Sequence, residues 1–300
     1  MPRLRVIEPL RAALLLLAGA VATGVAASRP ALAETLAASA SGLPVVPVGM
    51  SGLSHPFLVA TGRSTSAVLP DLAAEMRMRP AGTEAAAYML EGLALDGQKI
   101  EAVRAAALPE PIRHEPSAKG ILGADVLSRY TVEVDLAGGR LVLHAPGRPP
   151  APNGAAWAEA ALTLVPSRVP VVQPRIGAIP VTAIIDTGAR RTTINWTAAM
   201  ALGLAPTVRN APPAPGGQAD PLAPSLPKRQ ENRASAVAYS FLTLTLGTAQ
   251  WKNVTLTIAD LPIFKELGLE EQPAAVIGMD LLGARRFVID FAGKRILLES

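Results

Sequence analysis

The sequence predicts an all-β chain of two lobes with short helices, and three observations carry that expectation. Residues Gly123–Leu143 align without gaps to Gly278–Leu298, with 8 of 21 positions identical and most of the rest pairing apolar with apolar. A fixed-order repeat of this kind signals a duplicated architecture. Short apolar runs with strand-like alternation, closed by turn residues, recur through both halves. Between them lies Ala145–Ala156, with four prolines from Pro146 to Pro152, which reads as an extended linker. A chain of 300 residues that is half hydrophobic is long enough for two such lobes.

The chain opens on a secretory pattern. Arg3, Arg5 and Arg11 precede an uncharged stretch, Ala12 to Ala27, centred on Leu14–Leu17. Pro30 breaks any helix, and Ala31-Leu32-Ala33 supplies the small-x-small pattern that a signal peptidase needs. Residues 1–33 are therefore expected to be a signal peptide, cleaved after Ala33, and the protein to be periplasmic or secreted. Ala38-Ser39-Ala40 is a second cleavage option. The alternative is an uncleaved anchor, but 16 residues diluted by Gly19, Thr23 and Gly24 fall short of the roughly 20 that a span requires. No later segment could cross a membrane.

The first copy is expected over 45–144. Val45–Val48 and Leu53–Val59 read as a hairpin running into Ala60-Thr61-Gly62-Arg63, followed by a helix-like patch, Leu72–Met78. Ile121-Leu122-Gly123 then closes an apolar run, and Asp125 suits the N-cap of a short helix. An alternating strand, a turn at Ala137-Gly138-Gly139 and a return strand complete it. The second copy, 162–300, repeats this order. Val169–Gln173 and Ile179–Ile185 run into Asp186-Thr187-Gly188-Ala189, and a helix-like patch follows at Trp196–Leu204. Val276-Ile277-Gly278 closes the apolar run, with Asp280 at the expected cap and a turn at Ala292-Gly293-Lys294. The linker is placed at 145–161. Pro206–Pro227, with seven prolines, is an insertion without a counterpart in the first copy, and its composition suggests disorder.

An apolar strand entering Asp186-Thr187-Gly188-Ala189, followed about 90 residues later by Val276-Ile277-Gly278, resembles the retropepsin-like and pepsin-like aspartyl proteases. The resemblance covers both copies. It implies two acid-protease β-barrel lobes related by a pseudo-two-fold axis, with a peptide-binding cleft between them. It also implies that the Thr hydroxyl of each loop bonds across to the other lobe. The insertion would lie in the flap region, at the mouth of the cleft. In such a site two carboxylates share one proton and titrate as a coupled pair. One activates water as a general base while the other protonates the peptide carbonyl. Asp186 is the candidate catalytic residue, with Thr187, Gly188 and Ala189 shaping its loop and Thr61 and Gly62 shaping the partner loop.

The first copy departs from the pattern. Ala60 stands where Asp186 stands in the second, and a methyl group can neither take nor give a proton. The next acid, Asp71, follows Pro70 and reads as a helix cap. Arg63 fills the slot of Ala189. It is either a surface residue or a charge in the cleft that holds Asp186 ionised.

The resemblance implies an aspartic endopeptidase that hydrolyses extended peptides by activating water at Asp186, and three readings divide that function. Two chains could pair their Asp186 loops in a homodimer and form an active aspartic endopeptidase. The two copies could instead pair within one chain, leaving one carboxylate and a pseudoprotease that binds peptides. Or the lobes could serve only as an assembly module. The expected partner is a peptide or protein substrate. Nucleic acid is not expected: without residues 1–33 the net charge of +4 falls to +1, with no basic run. No cofactor is expected. Cysteine is absent, and His55, His114 and His144 lie far apart, so neither a thiol site nor a metal site is expected; solvated or strand-end histidines are the ordinary reading. There is no G-x-S-x-G, Walker loop or G-x-G-x-x-G.

Overall fold

The computed structural model describes residues 31–37, 39, 41–82, 87–150, 154–204, 235–237 and 242–300. The apolar leader and the Pro206–Pro227 insertion lie outside the described residues. What is described is mostly strand, with helices of four to six residues. The chain is all-β, as its alternating apolar pattern requires.

A six-stranded sheet joins the two halves, in the order Leu32–Thr35, Arg140–His144, Thr131–Asp135, Phe287–Asp290, Arg295–Glu299, Trp157–Ala161. Three strands come from each half. The seam is the antiparallel pair that sets Val132 opposite Ile289 and Val134 opposite Phe287. These side chains are fully buried and join both halves into one core, so the seam is a hydrophobic junction as well as a hydrogen-bonded one. The linker expected over 145–161 ends sooner than the sequence suggests. Trp157–Ala161 pairs with Arg295–Glu299 as an edge strand, its alternating burial matching the period of a half-buried strand. Leu32, beside the expected cleavage site, is buried opposite Leu143 in the other edge strand.

Each half then repeats one topology. In the first, Leu53–Val59 runs parallel to Gly120–Leu122, which pairs antiparallel with Ala67–Val68. That strand runs parallel to Val103–Ala107, itself antiparallel to Ala87–Leu90. In the second, Thr182–Ile185 runs parallel to Ala274–Ile277, which pairs antiparallel with Thr193–Ile194. Leu256–Ile258 and Ser235–Val237 complete the same order. Central strands covered on both faces read as continuous apolar runs, which is why Ala-Ala-Val-Ile at 274–277 is buried throughout. A second small core, around Phe264, Ile184 and Val276, lies under the helix Pro262–Glu266.

Asp125 and Asp280 do not cap helices. Gly123 and Gly278 hold the cap positions, and neither helix has a side-chain cap bond. Each carboxylate reaches to the loop beneath the site, and Asp125 Oδ1 also takes the N–H of Val126 in its own helix, at 2.9 Å. Asp125 accepts from the Ser66 N–H at 3.0 Å and its hydroxyl at 2.7 Å. Asp280 accepts from the Thr192 N–H at 2.9 Å and its hydroxyl at 2.7 Å. A turn of four residues offers few orphan amides, whereas a buried loop amide must find an acceptor. Asp71 likewise sits one residue inside its helix, whose cap is Leu69. Its charge there complements the helix N-terminus.

The histidines divide. His114 is exposed. His55 is buried, and its Nε2 has no hydrogen-bond partner among the described residues. His144 ends its strand but is paired, its Nε2 lying 2.6 Å from the Glu133 carboxylate. Glu133 also accepts from the Arg286 Nε at 2.7 Å, and Arg286 stacks over the Trp157 ring at 5.2 Å. Burial raises the Glu133 pKa, but the bonds and charges of His144 and Arg286 outweigh it and hold the group below the ordinary carboxylate range.

Candidate active site

Both parallel strand pairs end at the same place. Val59 and Ile185 are the last residues of their strands, and the chain turns there into 60–63 and 186–189. Each loop is tied to its own half by equivalent bonds. The Ala60 N–H donates to the Leu122 carbonyl at 3.0 Å, and the Asp186 N–H to the Ile277 carbonyl at 3.1 Å. The Arg63 N–H returns to Ala60, and the Ala189 N–H to Asp186, both at 3.3 Å.

The two loops meet within one chain. The Thr61 hydroxyl donates to the Ile185 carbonyl at 2.8 Å, and the Thr187 hydroxyl to the Val59 carbonyl at 2.6 Å. In return, the Thr61 N–H donates to Thr187 Oγ1 at 3.1 Å and the Thr187 N–H to Thr61 Oγ1 at 3.2 Å. Both threonines are fully buried, so these four bonds replace water rather than compete with it. Glycine follows each threonine because the loops touch. A Cβ on Gly188 would lie 2.6 Å from that of Ala60, and one on Gly62 would strike the Asp186 carboxyl group. Neither contact is sterically possible.

Ala60 therefore faces the Asp186 loop. The two glycine amides that flank the site converge on a single oxygen: Asp186 Oδ1 accepts from the Gly62 N–H at 3.1 Å and from the Gly188 N–H at 2.8 Å. Asp186 is half-buried, and Ala60, 5% exposed, is nearly closed off.

A cleft of about 600 Å³ opens above the loops. Ala60, Gly62, Arg63, Asp186, Gly188 and Ala189 lie on its floor and walls. Arg63 is half-buried in the cleft, not a solvated surface residue. Burial lowers the pKa of its guanidinium, while the charges of Asp186, Glu266 and Asp125 act to raise it. It forms no ion pair with Asp186. Its Nε donates to the Thr65 carbonyl at 3.1 Å. No group of three or more His, Cys, Asp or Glu side chains suited to a metal is found among the described residues.

Residues 172–281 match the family model described as Aspartyl protease. The match lies within the second lobe and takes in Asp186-Thr187-Gly188-Ala189 and Val276-Ile277-Gly278. A search of the curated proteins finds no match to the sequence. Among solved structures, conglutin gamma, a basic 7S globulin from lupine seeds, aligns over 91% of this chain and 95% of its own. Its TM-score is 0.51 at 11% identity. The basic 7S globulin from soybean aligns over 90% of this chain and 96% of its own, with a TM-score of 0.48 at 12% identity. Likeness at such low identity is a likeness of fold, here the pepsin-like fold.

Cleft residues outside the aspartyl protease motif escape the sequence analysis. Arg104, on the strand Val103–Ala107, and Glu266, at the end of Pro262–Glu266, both line the cleft and carry no local signal. Ser66 and Thr192 did carry one, since each lies six residues past Ala60 or Asp186.

Proposed function

We propose that this protein binds extended peptides in a pepsin-like cleft and, as a monomer, lacks the carboxylate pair that would hydrolyse them. The observation behind this reading is Ala60 facing the Asp186 loop within one chain. General acid–base hydrolysis needs one group to take a proton from water and another to donate one to the amide. Asp186 supplies one such group, and the methyl of Ala60 supplies none.

An aspartic endopeptidase built from two Asp186 loops is the rival reading. To form it, each chain would have to give up the four bonds that Thr61 and Thr187 make across the loops, and tethering keeps the internal partner at high effective concentration. The duplicated origin of the lobes, export through the leader and a peptide ligand belong to the same proposal.

The test measures binding and turnover together. Labelled peptides that span the cleft should bind the purified chain, with anisotropy rising on a 1:1 isotherm, and should remain intact from pH 3 to 7. Hydrolysis that scales with the square of protein concentration and is lost in Asp186→Asn would instead establish the homodimeric enzyme.

A further inference from the structure

We infer that the first-lobe wall of the cleft recognises a carboxylate on the bound peptide, through the guanidinium groups of Arg63 and Arg104. This inference rests on the peptide-binding reading above. It takes up the one change in the loops that the loss of a catalytic carboxylate does not explain: an arginine where the second copy has Ala189.

Arg63 is held ready for a ligand. Its amide and carbonyl are fixed by Ala60 and Ala124, at 3.3 and 2.7 Å. The bond from Nε to Thr65 then orients the guanidinium plane. Its two terminal nitrogens make no hydrogen bond or ion pair with any described residue. A guanidinium carries five N–H donors in a planar fork suited to a carboxylate, and most of those on Arg63 have no partner among the described residues. Burial has already removed part of its hydration. A desolvated cation with free donors gains more from an incoming anion than a solvated one does.

The second observation is the distribution of charge. Arg104 is exposed on the same wall and also makes no hydrogen bond or ion pair among the described residues. The opposite wall carries Asp186 and Glu266 among apolar groups, including Leu261 and Ile263. Both cations belong to the first lobe and both anions to the second. A peptide lying between them is thus oriented: its acidic group faces Arg63 and Arg104, and its apolar side chains face the second lobe.

Two sources present the same chemistry, an acidic side chain or a free C-terminus, and the experiment separates them. Three fluorescent seven-residue apolar peptides are titrated against the full chain at pH 7 by anisotropy. One is blocked at both ends with a central Glu, one is blocked with a central Gln, and one has the Gln but a free C-terminal carboxylate. The Glu peptide is expected to bind at least about tenfold more tightly than the blocked Gln peptide, the gain of a charge-assisted bidentate contact. Preference for the free-C-terminus peptide instead assigns the site to chain ends and still supports carboxylate recognition. Arg63→Gln should bring the preference close to unity. Arg104→Gln, at an exposed position, should reduce it by a smaller factor and gives a second variant if Arg63→Gln folds poorly. Equal binding of all three peptides would overturn carboxylate recognition and leave the peptide-binding reading standing. Binding of none would overturn both.

Discussion

The Thr61–Thr187 contact can be tested by replacing Thr61 with valine, which has nearly the same shape but no hydroxyl. The change removes a donor to the Ile185 carbonyl and an acceptor of the Thr187 N–H, and the site is fully buried. Each buried polar group left without a partner costs about 1–3 kcal/mol. Two of them cost about 2–6 kcal/mol. The extra buried methyl returns about 0.8 kcal/mol, for a net loss of about 1–5 kcal/mol. Thr187→Val should cost a similar amount, because its bonds to Val59 and Thr61 mirror those of Thr61. The two losses should not add, since the residues share one network, and a coupling of about 0.5–3 kcal/mol is expected. Urea unfolding of the wild type and the three variants reads all of this, repeated at two protein concentrations tenfold apart. If the contact is internal, the midpoints do not move with concentration. A Thr61→Val loss below about 0.5 kcal/mol, the size of an ordinary surface change, would refute the reasoning.

Stability should also fall in acid through Glu133, whose folded-state pKa is held below its ordinary value by His144 and Arg286. A depressed carboxylate stabilises the fold above its unfolded value of about 4.3. That contribution is lost as pH falls through the folded value. Glu133 lies opposite Val288 in the seam, so the lobes should loosen first, and acid unfolding followed by intrinsic Trp fluorescence should lose this step in Glu133→Gln. At neutral pH, Glu133→Gln should cost about 3 kcal/mol, since Arg286 keeps Glu299 at 3.9 Å and Trp157 as partners. Terminal sequencing of the exported protein should find Glu34 first, which keeps part of the edge strand Leu32–Thr35 but removes Leu32 from its buried place. A start after Ala40 would remove that strand whole.

Much of this was legible in the sequence because the decisive features are local. Apolar alternation and turn residues give the strands, and the match of Gly123–Leu143 to Gly278–Leu298 places equivalent segments in both halves. The motif Asp186-Thr187-Gly188 against Ala60-Thr61-Gly62 reveals which loop lacks a carboxylate. Partners distant in the chain were not legible. Asp125 and Asp280 looked like helix caps because local capping is the commonest use of Asp at a helix start, yet their acceptors serve loops about 59 and 88 residues away. Trp157–Ala161 looked like linker because Ala and Glu have weak strand preference, and only pairing with Arg295–Glu299 makes it a strand. Arg63 could not be assigned from its loop alone, because its place in the cleft depends on the second lobe and on the helix carrying Glu266.

The central claim is that Ala60 and Asp186 face each other within one chain, one carboxylate short of a catalytic pair. Ala60→Asp tests it most directly, since Thr61 and Gly62 already provide the loop such an aspartate needs. The monomeric variant, confirmed by its mass in solution, should hydrolyse a cleft-spanning peptide in acid while the wild type leaves it intact. The gain should be at least about 10²-fold, the contribution of a positioned acid or base, with two coupled titrations in the pH profile. Adding Asp186→Asn should abolish it. A folded Ala60→Asp monomer as inert as the wild type, in the Arg63→Ala background as well, would contradict the account.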